Sequence, residues 1–388
     1  MNFCGDLRSS VFAKNSASNG GALFVSNNFV NSGGEGICDL GGSYFLGNQA
    51  ASSGYGGALF IRANAKLAAK TGDVIFQGNF AGDRQEGIFF ANDQGGNTIW
   101  IGAESGHTFY YYDPIRGNIN NASLILEINP EQEHSGTVLL DKYPSEIWFG
   151  EGDADAYAKV SYGTLVLQNG ASFGAGEENF TENEEQNWGT FTLAESATLR
   201  IGYEQLSRSF SIESGMVRTE PSWPSYSNSN VSKINAGDIF LNGTLQFLLP
   251  TNIQSGDVLL HVPYGNVYLR SGANQIAVGA VGKLQSLEVG ESVVLLQCDK
   301  EIIEKSSSYS SSTGGGLENL CVPGYKFSIS VNTTQLLATL IGEPEGNIPS
   351  PEKSDNPPSW SLFPLPFAVT ADKDVGSDGS SGSGSSGS

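Results

Sequence analysis

The feature that most constrains the fold of this chain is a pair of short motifs that recur in a fixed order along the first hundred residues. The first is an FxxN tetrapeptide at spacings of 33 and 31 residues: Phe12 to Asn15, Phe45 to Asn48 and Phe76 to Asn79. The second is a GGALF pentapeptide that follows the first two copies: Gly20, Gly21, Ala22, Leu23 and Phe24, then Gly56, Gly57, Ala58, Leu59 and Phe60. After the third copy, the segment 86–90 keeps only Gly87 and Phe90 of this pattern. Such repeats predict a solenoid, because one unit buries its apolar side only by stacking on the next.

Stacked rungs of a β-solenoid lie about 4.8 Å apart, so equivalent side chains should form columns. The interior column is expected to consist of Phe12, Phe45 and Phe76. A second aromatic column is expected from Phe24, Phe60 and Phe90. An amide ladder at a turn, with side chains that bond from rung to rung and tolerate left-handed backbone angles, is expected from Asn15, Asn48 and Asn79. The paired glycines should provide bends and room for close backbone packing.

The composition agrees with an all-β chain and restricts its partners. Among 388 residues there are 50 glycines, and 10% of residues are aromatic, which is typical of a β-rich protein. The net charge is -21, so nucleic acid and anionic bilayers are disfavoured as partners because both would be repelled. No run of about 18 apolar residues is present, so the sequence predicts no helix that spans a membrane.

Beyond residue 115 the repeat continues in a weaker form. Runs that begin with glycine and alternate apolar with polar residues lie at 163–167, 189–193 and 237–241. Their spacings of 26 and 48 residues suggest one rung for every 24 to 26 residues. The segments 325–331 and 335–340 read as a hairpin that caps the solenoid. The expected organisation is repeat rungs at 1–98, a middle region with the continuing β-helix and its cap at 99–342, a proline-rich linker at 343–375 and an engineered Gly/Ser tail at 376–388.

The two motifs, together with a later hexapeptide, resemble a known family. Alternating GGA(I/L/V) and FxxN tetrapeptides are the hallmark of the chlamydial polymorphic membrane proteins, and the segment from Tyr110 to Ile115 resembles their Phe-Tyr-Asp-Pro-Ile step. The resemblance covers residues 1 to about 345. It implies an autotransporter passenger at the bacterial cell surface, attached to the outer membrane only through a C-terminal barrel that is absent here, or secreted after processing. The expected fold is all-β, a right-handed parallel β-helix (solenoid) with a C-terminal hairpin cap.

The four cysteines suggest disulfides rather than a metal site, because none of them forms a CxxC motif. Cys298 and Cys321 flank a serine- and glycine-rich segment, where a bridge would close a flexible loop. Cys4 and Cys38 precede Phe12 and Phe45 by eight and seven residues, so a staple between adjacent rungs is a second candidate pairing. In both cases a free thiol, or a bond to a neighbouring protein, remains an open alternative.

The sequence offers little support for catalysis. The three histidines lie outside any GxSxG, HExxH or Cys/His context, and no phosphate-binding loop is recognisable. A weak calcium candidate is the alternating acidic set Glu151, Asp153 and Asp155. We therefore expect no enzyme activity and no cofactor, with a glycan-cleaving β-helix enzyme as the least favoured alternative.

The preferred hypothesis is a non-enzymatic adhesin that binds a protein or glycoprotein receptor on host epithelial cells, as the resemblance implies. The runner-up is a structural or antigenic coat protein that self-associates. Aromatic side chains could anchor a receptor if they are exposed, although most are expected in the core; the candidates include Trp100, Tyr110, Tyr111, Tyr112, Trp148, Trp188 and Trp223.

Overall fold

The structure is a computed structural model, and it describes most of the chain in segments. These segments are 7–25, 38–62, 65–92, 98–119, 125–142, 144–148, 157–174, 189–202, 207–213, 216–222, 231–269, 276–304, 311–312, 317, 320–344 and 363–364. Across these segments the regular structure is β-strand, and no helix is long and apolar enough to cross a membrane.

Three long sheets run along the molecule. Sheet 1 has ten strands, in spatial order Val11–Ala13, Tyr44–Leu46, Val74–Gln77, Thr108–Tyr111, Thr137–Asp141, Gly163–Gln168, Ala197–Gly202, Thr244–Leu249, Ile276–Ala280 and Ser311–Ser312. Sheet 2 has eleven, in order Leu23–Val25, Leu59–Ile61, Ile88–Asn92, Ile115–Ile119, Pro144–Trp148, Ser172–Gly174, Ser232–Asn235, Val258–Val262, Ser292–Cys298, Gln335–Gly342 and Lys326–Val331. Sheet 3 has nine, which are Cys38–Asp39, Ala65–Ala69, Thr98–Ala103, Ile125–Ile128, Tyr157–Val160, Thr190–Leu193, Asp238–Leu241, Asn266–Leu269 and Ile302–Glu304.

Each coil visits the three sheets in turn, from sheet 3 to sheet 1 to sheet 2. Up to the C-terminal hairpin, each strand of these sheets pairs in parallel with its equivalent in the adjacent coil. A short fourth sheet lies at the turn between sheets 1 and 2 of the first three coils, with strands Ser16–Ala17, Gln49–Ala50, Phe80–Ala81 and Arg84–Gln85. Together these features confirm the prediction of an all-β parallel β-helix.

The strands form because their apolar residues alternate with polar ones, which places one set of side chains inside the coil. In strand Ala197–Gly202 the buried residues are Ala197, Leu199 and Ile201. Parallel pairing aligns Leu199 with Leu245, and Ile201 with Phe247. The interior is therefore a set of continuous apolar columns, and burying each column stabilises the fold in proportion to the apolar area removed from water.

The two aromatic columns lie on opposite faces of the sheets, one inside the coil and one outside. Phe45 is fully buried and stacks on Phe12 at 4.8 Å and on Phe76 at 4.5 Å between ring centroids. In Leu23–Val25 and Leu59–Ile61, by contrast, the flanking aliphatic residues belong to the interior cluster. The phenylalanine between them, Phe24 or Phe60, therefore points outward.

The third member of the outer column is Phe89, so the assignment of Phe90 to this column was wrong by one residue. Phe89 lies opposite Phe60, whereas Phe90 lies opposite Ile61 and belongs to the interior cluster. The cause is a shift of register in the third repeat, where Gly87 takes the place of Ala58 rather than that of the second glycine. Ile88 can then face inward with Leu59.

The repeat length inferred for the middle region was also wrong. The run at 163–167 lies in sheet 1, whereas the runs at 189–193 and 237–241 both lie in sheet 3 as neighbouring strands. The spacing of 48 residues is therefore one coil and not two. The extra length accommodates an inserted antiparallel hairpin, Ser207–Glu213 with Met216–Ser222, whose second strand also pairs with Phe363–Pro364.

The C-terminal hairpin is confirmed as the cap of sheet 2. Strands Lys326–Val331 and Gln335–Gly342 pair antiparallel, and Gln335–Gly342 also pairs antiparallel with Ser292–Cys298. Phe327 of this hairpin and the preceding Tyr325 are buried, and the Tyr325 hydroxyl accepts a hydrogen bond from the Leu284 backbone amide at 2.9 Å. The change from parallel to antiparallel pairing ends the stacking of equivalent coils in this sheet.

Replacing Phe45 with alanine tests the interior column. Phe45→Ala should lower the free energy of unfolding by about 3–5 kcal/mol, because it leaves a cavity between two stacked rings. Guanidinium unfolding followed by tryptophan fluorescence measures the change. The matched control is Phe80→Ala in the next coil, where the ring is 39% exposed and the expected cost is below about 1 kcal/mol. Equal shifts of the two unfolding midpoints would contradict the assignment of Phe45 to the core.

Candidate functional site

The turn after each FxxN motif is held by a ladder of side-chain amides. The backbone N–H and Nδ2 of Asn15 both donate to Oδ1 of Asn48, at 3.1 and 2.9 Å. Asn48 repeats both bonds to Asn79, at 3.0 and 2.8 Å. The second Nδ2 hydrogen of Asn48 bonds the Phe12 carbonyl, and that of Asn79 bonds the Phe45 carbonyl, each at 2.9 Å. The amides of Asn48 and Asn79 are thus fully satisfied in the buried turn.

The left-handed backbone position of this turn is the residue before the asparagine, and not the asparagine as expected. These residues are Lys14 with φ 54°, Gly47 with φ 63° and Gly78 with φ 68°. The asparagine is selected instead by its amide, which must donate twice and accept twice. Lysine in the first copy accepts a conformation that glycine adopts at lower cost.

The ladder ends at Asp113, in the segment that resembles the FYDPI step. Its Oδ2 accepts from the backbone N–H and Nδ2 of Asn79 at 3.0 and 2.5 Å, and its Oδ1 accepts from Gly78 N–H at 2.8 Å and Gln85 Nε2 at 2.7 Å. Burial raises the pKa of the Asp113 carboxyl, and these four hydrogen bonds oppose the shift. A carboxylate can accept all four bonds. Unlike an amide, it has no N–H that would need an acceptor in the next coil, so the ladder ends here.

Each position of the glycine pair requires glycine for a different structural reason. The first of each pair, Gly20 or Gly56, has φ of 60° or 68°, and a Cβ there would lie 2.1 or 2.0 Å from a backbone oxygen. The second, Gly21 or Gly57, lies against the next coil, where a Cβ would meet the backbone oxygen of Gly57 or of Glu86 at 2.2 or 2.4 Å. Ala58, which is fully buried, then leads into the strand Leu59–Ile61.

In the third repeat a buried glutamate organises the same turn. Glu86 Oε1 accepts from the Gly56 backbone N–H at 2.5 Å, and Glu86 Oε2 lies 2.7 Å from Arg84 Nη2 and 3.7 Å from Arg116 Nε. Burial raises the pKa of the Glu86 carboxyl, while the Gly56 hydrogen bond and the two arginines oppose the shift. Glu86 therefore holds Arg84 beside the outer surface of the second and third coils.

This outer surface carries the feature that best qualifies as a binding site, which we name the outer aromatic strip: Phe24, Tyr55, Phe60 and Phe89. Phe60 stacks on Phe24 at 5.2 Å and on Phe89 at 5.8 Å, and Tyr55 lies 4.4 Å from Phe89. Phe24 is 46% and Tyr55 41% exposed. The guanidinium of Arg84 lies 5.8 Å from the centroid of the Tyr55 ring, so a cation borders the exposed end of the strip.

Sequence reasoning missed that this strip faces outward, with Phe24 and Tyr55 exposed and Phe60 and Phe89 buried between neighbouring side chains, and it missed the roles of Tyr55 and Arg84. The signal that could have found it is the alternation in Leu-Phe-Val and Leu-Phe-Ile, because aliphatic neighbours that face inward force the phenylalanine outward. Of the aromatic residues proposed as anchors, Trp100, Tyr111 and Tyr112 are buried. Trp188 and Trp223 lie outside the described residues, as does the side chain of Trp148.

The candidate disulfides have different outcomes. Cys298 is a free buried thiol whose Sγ donates to the Gly265 carbonyl at 3.2 Å, so the predicted Cys298–Cys321 bridge is wrong for this structure. Cys298 faces the interior at the end of a sheet 2 strand, whereas Cys321 packs against the separate cluster that contains Leu248 and Ala277, which is why they do not meet. Cys4 lies outside the described residues, so its pairing with buried Cys38 stays a prediction.

The predicted calcium candidate Glu151, Asp153 and Asp155 also lies outside the described residues. Within the described part of the chain, a different group brings three metal-ligand types together. Potential ligand atoms of Glu131, Glu133 and His134 all lie within 4.8 Å of one another.

Comparison with known proteins gives partial similarity to one group. No family model matches the chain, and no solved structure matches it. The chain is similar to three proteins of Chlamydia pneumoniae that carry the name probable outer membrane protein. It is 34% identical to pmp18 over 110 residues, 30% identical to pmp13 over 159 and 28% identical to pmp8 over 203. These alignments cover 26%, 36% and 50% of this chain but only 11%, 16% and 21% of the respective relatives.

Replacing Asp113 with asparagine tests the closure of the ladder. Asp113→Asn is nearly isosteric, but it turns one acceptor into a donor that faces other donors, so unfolding should become easier by about 1–3 kcal/mol. Chemical denaturation gives the value, and Asp83→Asn, at an exposed position between strands Phe80–Ala81 and Arg84–Gln85, serves as the control. Unchanged stability of the Asp113 variant would show that the ladder does not require an acceptor-only end.

Proposed function

We propose, on the premise that this chain is related to the chlamydial polymorphic outer membrane proteins, that it is an outer-surface passenger segment that acts as an adhesin. The proposed partner is a protein or glycoprotein on the host epithelial cell. The observation that carries the proposal is the outer aromatic strip with its neighbouring arginine. The relatives are outer membrane proteins by name. A passenger on the outside of the bacterium is in a position to meet a host cell.

The scaffold supports this role because it is long and presents side chains at fixed positions. Ten stacked strands of sheet 1, at about 4.8 Å per rung, give an axis of roughly 45 Å. Rings that are already stacked in the free protein lose little side-chain entropy when a partner covers them. Tyrosine and arginine are also the residue types that most often dominate interface energies.

The charges favour a protein or glycoprotein over a lipid surface. The net charge of -21 repels an anionic bilayer, whereas Arg84 offers a local cation beside the exposed ring of Tyr55. Such a surface suits an apolar or sugar face that carries a nearby acidic group.

A non-enzymatic role fits the use of the buried carboxylates. Asp113 accepts four hydrogen bonds within the protein, Glu86 pairs with two arginines, and Asp141 accepts from Asn169. Each of these carboxyl groups stabilises a turn between coils, so we propose no enzymatic reaction for them.

Adhesion of protein-coated beads to cultured epithelial cells tests the proposal. Beads that carry this chain should bind saturably, and soluble chain should compete. Tyr55→Ala and Arg84→Ala should each weaken binding by about tenfold or more, because they remove the exposed ring and its cation. The control is Ile341→Ala, which truncates an apolar side chain that is 56% exposed and lies outside the strip. This variant should bind as well as the parent chain.

Beads that carry an unrelated protein of similar acidity provide the background. Binding no greater than this background would contradict the adhesin role and favour the self-associating coat protein, which size-exclusion chromatography with and without reductant would reveal. Saturable binding that survives both strip substitutions would retain an adhesin but move its site elsewhere.

A further inference from the structure

The turn between strands Ile125–Ile128 and Thr137–Asp141 is fixed at both ends. Asn129, with φ 48°, accepts a hydrogen bond on Oδ1 from the Ala103 backbone N–H at 2.8 Å and donates from Nδ2 to the Gly136 carbonyl at 3.1 Å. Within the turn, the backbone N–H of His134 donates to the Glu131 carbonyl at 2.9 Å. The positions of residues 131 and 134 are therefore set by the backbone rather than by their side chains.

The ring of His134 is completely buried. It packs edge-on against Trp100 at 4.5 Å between centroids, and a Cβ on Gly102 would lie 2.6 Å from its Cδ2. Neither ring nitrogen has a hydrogen-bond partner among the residues that the structure describes. A buried imidazole without any partner is uncommon, since buried polar atoms are nearly always bonded, and it points to a ligand that the protein atoms do not supply.

Two carboxylates of the same turn complete a ligand set. A carboxylate oxygen of half-buried Glu131, one of exposed Glu133 and a ring nitrogen of His134 lie within 4.8 Å of one another. We propose that this turn binds a Zn²⁺ ion through Glu131, Glu133 and His134. Because nothing in the adhesin proposal involves these residues, the zinc site stands or falls independently of it.

The donor set selects zinc over calcium. Zn²⁺ takes imidazole nitrogen and carboxylate oxygen, and three protein ligands with one water complete its tetrahedral shell. Ca²⁺ instead takes six to eight oxygen ligands, so the imidazole nitrogen would not coordinate it. Zn²⁺ ligands at about 2.1 Å lie roughly 3.4 Å apart in a tetrahedron, so the set must contract slightly on binding. Glu133 is exposed and can rotate to allow this.

The electrostatic surroundings keep the imidazole available. Burial is the main influence that lowers the pKa of His134, and Lys70 lowers it further, while Glu133 and Glu104 raise it. The neutral ring has a lone pair for the metal. The carboxylates of the ligands Glu131 and Glu133 supply the negative charge that attracts a divalent cation, against the repulsion from Lys70.

Zinc titration of the full chain, without any polyhistidine tag and after removal of metal by chelation, tests the proposal. Competition with a chromophoric chelator should show a Zn²⁺ site that Glu133→Gln and Glu131→Gln each weaken by about tenfold or more. Replacing His134 itself could prevent folding, because its ring is buried. The two glutamate variants leave that ring in place and avoid this problem. All cysteines remain in every variant, so zinc bound by thiols forms a constant background.

The matched control is Glu104→Gln, which removes a carboxylate that influences His134 but lies outside the proposed ligand set. Its zinc affinity should stay within about threefold of the parent chain. Equal affinity in the parent chain and in both ligand variants would overturn the site. An equal loss in Glu104→Gln would also overturn it, because general acidity would then explain the binding.

Discussion

The rest of this structure depends on the constraint that equivalent residues of successive coils must lie directly above one another. Parallel pairing at about 4.8 Å per rung leaves no freedom to shift a strand by one residue, because such a shift exchanges the inner and outer faces. The asparagine ladder enforces this register at the turn, since each amide reaches only the next one. The phenylalanine column inside and the aromatic strip outside both follow from the same register.

The sequence predicts most of this where the motifs are intact. The FxxN and GGALF pairs are sufficient to infer the solenoid, and alternation at 325–340 is sufficient to infer the terminal hairpin. Prediction fails where a motif degrades, because a one-residue shift in the third repeat is not visible as a change of composition. Phe90 was misplaced for this reason, although matching Ile88 with Leu59 as inward aliphatic residues would have corrected it.

The failures in the middle region have a different physical cause. A coil of this fold can lengthen at its turns without disturbing its strands, so the spacing of similar strands does not measure the coil. The inserted hairpin of Ser207–Glu213 with Met216–Ser222 lengthened one coil in this way, so that equivalent residues Thr190 and Asp238 lie 48 positions apart. The candidate sites were harder still to predict, because the environment of His134 depends on Trp100 and Gly102 in an earlier coil, and sequence spacing carries no information on that contact.

The amides of the ladder all point in one direction along the axis. In each of Asn15, Asn48 and Asn79 one Nδ2–H donates to the next coil, and the Oδ1 atoms of Asn48 and Asn79 accept from the coil before. Their dipoles therefore add, as peptide dipoles do in a helix, and the positive end of the row meets Asp113. A short row of side chains thus acts as a macrodipole inside a β-fold, and the buried negative charge lies at the end where its field is most favourable.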